Sequence, residues 1–429
     1  MKTMEEALHQ SNQSHKINQS HQVNQSNQSN YSNGDQKSRW EDPEPERPIP
    51  EEALATIICR GATARPQVVT RSNGLQFPAK HHATALVLGY FASYNHMFPI
   101  WCKREFMARM KEEYPPDKHV DSVWWSAVVV VLCFAHRLRA MSNVLQAETE
   151  NHEACRYLQE ALDMAPKLAF ARASIGSAQV LLGLASILRG TAMPDQAPML
   201  VAVAIRMLQD LNVHKQPAAG SSSRDHKISE RTFWFAYIMD KDISLQSRKP
   251  PVLHEEDIGL GPLAHLEEDG IGTVRSLDSS MEFNLFKVAR DLACIQGHVW
   301  TRIHSVAATV DRRTLEAAQA ELNPVLATWK NSLPFHFKAD DLVGRWPKHA
   351  VLHIVILHFR YFQTLVELNR EPPMGDDTDD DMNPLNGNCP IAKSLPSYPH
   401  STSTIAVEAA RDALDLAALT PRGNFQNVW

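Results

Sequence analysis

The densest group of metal-binding side chains in this 429-residue chain is DDTDDDM, Asp376 to Met382, where Asp376, Asp377 and Asp380 reproduce a D-D-x-x-D spacing. In a helical enzyme such a run holds magnesium and diphosphate. Here Pro372, Pro373, Gly375 and Pro384 surround the acids, so no helix fixes their carboxylates, and the run reads as a solvated acidic linker. His349, His353 and His358 come next, the first two one turn apart on a helical stretch. No H-E-x-x-H accompanies them, and His353 belongs to an apolar stripe with Leu352, Ile356 and Phe359, which points to core or boundary histidines.

The six cysteines, Cys59, Cys102, Cys133, Cys155, Cys294 and Cys389, are scattered and form no C-x-x-C pair. A binuclear zinc cluster needs closely spaced thiolates, so none is expected here; Cys102, Cys133 and Cys294 read as small buried hydrophobes in a reduced protein. G-x-S-x-G, P-loop and dinucleotide-binding contexts are also missing, and GLGPL at Gly259 lacks the strand and helix that would make it one. The expectation is a chain with no catalytic, cofactor-binding or metal site of its own, and not an enzyme.

The element around which the rest is arranged runs from Arg231 to Leu263. From Thr232 to Leu245 nothing breaks a helix, and Phe233, Trp234, Phe235, Tyr237, Ile238, Met239 and Ile243 cover nearly all of its circumference, the pattern of a helix buried among others. Pro250 and Pro251 force it to end. Asp240, in mid-helix, needs a partner, and Arg248 and Lys249 are the nearest cations. An ion pair or cap that fixes the exit of the chain is one reading, a catalytic carboxylate the other.

Composition is that of an ordinary globular protein. The net charge of −6 argues against a surface that attracts nucleic acid overall. Val123 to Ala135, the longest apolar run, contains Ser126 and is short for a bilayer, so a buried helix and no membrane partner are expected. The N-terminus lacks the apolar core of a secretory signal. Residues 1–50 predict a disordered polar and Pro-rich tail, with HQSNQS, HKINQS and HQVNQS in succession from His9; residues 51–81 predict a linker with one short helix, and residues 82–429 a folded body.

That body reads as helices alone. Leu86 to Tyr94 has helical spacing, a break precedes Pro99, and an amphipathic run leads to Tyr114. Val120 to Ala147 predicts a long helix, Asn151 to Met164 another that Pro166 ends, and Ile175 to Leu188 a third that Gly190 stops. Asp195 is positioned to N-cap the next, whose stripe is Leu200, Val203, Met207 and Leu211, widened by Ala204 and Leu208. An irregular acidic loop follows Leu263, then helices over Met281 to Val306, Arg313 to Ser332 (bent or interrupted at Pro324), His349 onward, and Ser403 to Leu419.

Several of these segments carry motifs in a recognisable order. They are Asn95-x-x-x-Pro99-Ile100 with Phe106 after it; Ala204, Arg206, Leu211 and His214 around a helix end; and Phe233-Trp234, Tyr237, Asp240 and Ser244 ahead of a basic residue, Pro and D-I-x-L-x-P-L. Leu326-x-x-Trp329-x-x-x-Leu333-Pro334 and E-A-A-R-x-x-L from Glu408 complete the series. Together they resemble the fungal-specific transcription factor regulatory domain, the middle homology region of Zn2Cys6 transcription factors, over roughly residues 86 to 429. Two departures stand out. Arg248-Lys249-Pro250 replaces the usual Gly-Arg-Pro, and Asn212 stands where Gly is commoner, although Asn also tolerates the left-handed backbone that closes a helix. His214 beside that helix end reads as structural or dipole-complementing, with ligand contact as the alternative.

The resemblance implies an all-α, multi-helix, bundle-like regulatory domain that acts in the nucleus on RNA polymerase II transcription. DNA binding through a zinc cluster is part of the family pattern, but the cluster is not in this chain. Protein partners or a homodimer, and a small-molecule effector, are the partners that follow. The competing readings are an α-helical magnesium-dependent enzyme acting on an isoprenoid diphosphate through Asp376 and Asp377, and a helical scaffold unrelated to transcription.

Overall fold

The computed structural model describes residues 75–191, 194–216, 224–261, 270–305, 312–334, 342, 344–369 and a few positions between 408 and 416. The tail at 1–50, the short helix expected after residue 51, the acidic run Asp376 to Met382 and most of the final helix lie outside the described residues, as do Cys59 and Cys389. Eleven α-helices are present among them: α1 Lys80–Ala92, α2 Tyr94–Met97, α3 Lys103–Glu113, α4 Ser122–Ser142, α5 Ala147–Ala169, α6 Ile175–Arg189, α7 Ala197–Asp210, α8 Arg224–Ser247, α9 Leu285–Val299, α10 Arg312–Asn331 and α11 Lys348–Leu368. The helical fold class expected from periodicity holds.

α4 and α8 are the central members. Asp121 starts α4 by accepting hydrogen bonds from the Val123 and Trp124 N–H groups at 3.0 and 2.9 Å, so the long apolar helix begins at Ser122. Its residues Val128 to Cys133 are all fully buried, because α5, α6 and α1 cover it on different sides. α4 and α11 have the length and apolarity of a membrane span, but most of both is buried against neighbouring helices. Every residue of α8 from Arg231 to Leu245 is buried, and Trp234 is 5% exposed. α6 packs closely on α4 where Gly183 leaves room for the Trp101 ring and Val130; a Cβ there would lie 2.9 Å from each.

Local chemistry explains where the chain turns. The Asn95 side chain spans the break before Pro99: its Oδ1 accepts from the Trp101 N–H at 3.0 Å and its Nδ2 donates to the Trp101 carbonyl at 2.9 Å. Both backbone groups of a buried residue are thereby satisfied, which is the work the Asn-x-x-x-Pro spacing does. Asn212 takes φ 58° after α7, and the Val213 N–H returns to the Leu208 carbonyl at 3.0 Å, the closure expected of it.

Five expectations need correction. The Val120–Ala147 helix is interrupted, since α4 ends at Ser142 and α5 starts at Ala147. Pro166 does not end α5; the helix continues to Ala169, where burial of Ala165 and Leu168 offsets the one lost backbone bond. Asp195 caps nothing, because α7 is led in by a short 3₁₀ turn and has Pro198 in its first turn. Of the expected stripe of α7, Met207, Ala204 and Leu208 are buried together with Val201 and Ile205, but Leu200 and Val203 lie at its margin and Leu211 is exposed. Finally, the loop and helix start at 273–284 are a small antiparallel hairpin, Thr273–Arg275 (β1) paired with Glu282–Asn284 (β2), with Val274 opposite Phe283. Phe283 anchors it edge-on to Trp346 at 5.3 Å.

Candidate functional site

α8 carries two acids, and they do different things. Asp240, the one singled out from sequence, turns toward the exit of the chain: its carboxylate accepts from the N–H groups of Val252 at 2.9 Å and Leu253 at 3.0 Å, just beyond Pro250-Pro251. Burial nonetheless pushes its acid up, although these two N–H groups and the Lys241 charge pull it down. Its role is structural, as the cap reading had it, but neither Arg248 nor Lys249 is the partner. Arg248 instead grips Glu367 on α11 with two bonds, 2.7 and 3.0 Å.

Asp242, two residues on, faces the opposite way and had no place in the sequence reading. Its side chain is 1% exposed. Arg189 at the end of α6 bonds it directly, Arg360 Nε of α11 lies 3.2 Å away, and Gln296 Nε2 of α9 donates at 3.2 Å. Burial alone would raise this carboxyl, but the Arg360 and Arg189 charges and the hydrogen bonds outweigh it and hold the acid below its usual value. Four helices thus meet at one carboxylate. An acid on an all-apolar helix was the available signal; its cationic partners, far away in sequence, were not readable.

This cluster forms part of the wall of a cavity of about 290 Å³, bounded by α4, α6, α8, α11 and the α2 turn. Tyr94, Phe98, Phe134, Phe235 and Phe359 supply aromatic surface, with Leu352 and Ile356 beside them. Arg137, Arg189 and Arg360 bring three guanidinium groups, and among the described residues Asp242 is the lone carboxylate in the lining. Arg137 Nη2 donates to the Gly190 carbonyl at 2.8 Å.

Of the three histidines, His353 lines this cavity, packed 5.8 Å from the Tyr94 ring and 5.7 Å from the Phe98 ring, and its Nδ1 has no hydrogen-bond partner. Burial, with the nearby His349 and Arg360 charges, pushes its pKa down to about 4. His358 points elsewhere and bonds the Ile354 carbonyl within its own helix, while His349 is exposed. No group of His, Cys, Asp and Glu side chains that could hold a metal occurs among the described residues. Cys133 is buried as expected, whereas Cys102 and Cys294 are only half-buried. His214 has its pKa lowered by partial burial and the Lys215 charge, and its carbonyl accepts from Gly259 at 2.9 Å.

Comparison with known proteins places these features. The family model for the fungal specific transcription factor domain matches residues 87–285. ABC-transporter-regulating transcription factors of Aspergillus oryzae and Aspergillus fumigatus are each 32% identical over 355 residues, 82% of this chain and 40% and 39% of theirs. A fusaridione A cluster transcription factor of Fusarium heterosporum is 25% identical over 347 residues, 80% of this chain and 63% of its own. The chain spans about two-fifths of the length of the first two relatives. The match runs through the Asn95 clamp, the Asn212 closure and the whole of α8. Over residues 87–285, this chain is a fungal specific transcription factor domain.

Proposed function

We infer that the chain is the regulatory, non-enzymatic part of a fungal transcription regulator, working in the nucleus on RNA polymerase II promoters and adjusted by a small molecule held in the α4–α6–α8–α11 cavity. The observation that carries this reading is the cavity itself, walled by aromatic side chains and a buried ion cluster, with its α4, α6 and α8 walls inside the residues 87–285 that match the transcription-factor family and its α11 wall beyond them. An effector seated there touches four helices at once, so it can bias their packing and hence any surface that partners read. With a net charge of −6, this chain is not the DNA-reading surface; DNA contact, and the zinc that goes with it, is assigned to a further module or a protein partner. Two relatives are named for control of ABC transporters, and transporter genes are the target class we assign.

The test is a fusion of the 429-residue chain to a foreign DNA-binding domain ahead of a reporter. Reporter output that departs from the DNA-binding domain alone, and that changes when Leu352→Trp fills the cavity, supports the reading. A nuclear, well-expressed fusion with a flat reporter refutes it. Loss of the chain should also alter transcripts of ABC transporter genes; unchanged transcripts would refute the target class.

A further inference from the structure

We propose that the cavity selects a carboxylic acid with a compact aromatic or branched apolar body, whose carboxylate sits against Arg360 and Arg137. The proposal rests on the effector reading above and names the ligand class. Three guanidinium groups and one carboxylate leave an excess of two positive charges in the lining. Arg189 is committed to Asp242 by a direct bond. Arg360 is paired less completely: it faces Asp242 at 3.2 Å and lies 5.9 Å from the Phe98 ring, but its buried Nε makes no hydrogen bond, and its side chain is 16% exposed. Among the described residues Asp242 is its sole ion-pair partner. A buried cation with incomplete pairing is costly, and a planar carboxylate is the group a guanidinium fork matches. Arg137 spends one nitrogen on the Gly190 carbonyl and has donors left.

Ligand body and size follow from the other walls. Phe134, Phe235 and Ile356 offer flat and branched apolar contact, and Met239 adds an adaptable one. A volume of about 290 Å³ sits at the lower edge of the roughly 300–1,000 Å³ usual for small-molecule sites, which suits one ring system or a short branched chain. Neutral His353, with Nδ1 unpartnered, adds a single polar contact point. A net excess of two positive charges in the lining matches a monoanion better than a nucleotide or other polyanion. Charge on the ligand and not apolarity alone is therefore what the site discriminates.

Binding of 2-naphthylacetate to the full chain, followed by intrinsic tryptophan fluorescence and by melting temperature, tests this against its neutral isostere 2-naphthylacetamide. The acid should bind saturably and raise the melting temperature, with at least about tenfold preference over the amide, equivalent to roughly 1.4 kcal/mol. Leu352→Trp should abolish that binding. Arg137→Gln, chosen because Arg137 does not pair with Asp242, should erase most of the acid-over-amide preference; Arg360→Lys, which keeps the charge opposite Asp242, should weaken the acid by a further several-fold. Equal binding of acid and amide, both blocked by Leu352→Trp, would overturn the anion specificity and leave the effector reading standing. Failure of both probes to bind overturns the proposed ligand class; the effector reading is then judged by whether Leu352→Trp changes the reporter.

Discussion

Asp240 reaches across 13 residues of sequence to accept the backbone N–H of Leu253 at 3.0 Å, and with its other oxygen takes that of Val252 at 2.9 Å. A buried carboxylate thus substitutes for the helix that Pro250 and Pro251 stop, giving acceptors to the first two amides beyond them. Asp240→Ala leaves both amides unpaired and should lower unfolding stability by about 1–3 kcal/mol for the buried Leu253 donor, with a smaller loss for the half-buried Val252 donor. Asp240→Asn retains one acceptor oxygen and turns an amide donor toward the second N–H, so its loss should be smaller but at least about 1 kcal/mol. Urea unfolding at constant slope measures both. An Asn variant with an unshifted midpoint would rule out this capping role.

Arg248 supplies the second prediction, because it adopts φ 53° at the end of α8 while the Lys249 N–H returns to the Ser244 carbonyl at 3.1 Å. This is a left-handed closure of the kind glycine fits without strain, so Arg at this position costs backbone strain and gains the two bonds to Glu367. Arg248→Ala loses the ion pair and keeps the strain; Arg248→Gly loses the ion pair and relieves it. The Gly variant should therefore be the more stable of the two by about 1 kcal/mol in thermal unfolding. An Ala variant as stable as the Gly variant would mean that the left-handed turn is not retained in solution.

Much of this arrangement was legible in advance. The apolar circumference of Phe233 to Ile243 announced a buried helix, and Asn212 announced its turn, because both depend on neighbours within a few residues. Asp242, Arg189 and Arg360 were not legible as a group: 53 residues separate the first two, and nothing local tells which cation will meet a given buried acid. Strands of three residues such as Thr273–Arg275 are too short for an alternation to register, so the hairpin was lost in a loop. Pro166 misled for another reason, since a proline near the end of a helix removes one bond that packing of Leu168 can replace.

The side chain of Asn95 is the third test. It pairs with both the N–H and the carbonyl of Trp101 across a turn in which every residue from Met97 to Trp101 described as apolar is buried. Asn95→Ala removes two hydrogen bonds from buried backbone groups and should lower stability by about 2–4 kcal/mol. Asn95→Asp can still accept from the Trp101 N–H but presents a carboxylate to the Trp101 carbonyl, so it should be at least as damaging despite its identical shape. Amide hydrogen exchange at Trp101 gives the local readout: protection should drop in both variants. Undiminished protection in Asn95→Ala would show that the clamp is incidental to the turn.

His353 makes stability depend on pH in a predictable direction. Its pKa lies at about 4 in the folded protein against an ordinary 6.5, because burial first, and then the His349 and Arg360 charges, oppose a proton on the ring. Above pH 6.5 neither folded nor unfolded chain protonates it and the full stability is present. As the pH falls from 6.5 toward 4, the unfolded chain takes up a proton that the folded chain refuses, so stability declines across that window, by about 3 kcal/mol for a shift of this size. Asp242, held below its usual acid range, adds a loss only at lower pH, so the two are separable. His353→Leu should lessen the decline between about pH 6.5 and 4, leaving the smaller part that His214, His304 and His349, also lowered by burial, contribute, and should leave the drop at lower pH in place. If the wild-type chain and His353→Leu lose stability in parallel over that window, the ring is not buried in a neutral state, and the apolar character assigned to the cavity wall beside Tyr94 and Phe98 falls with it.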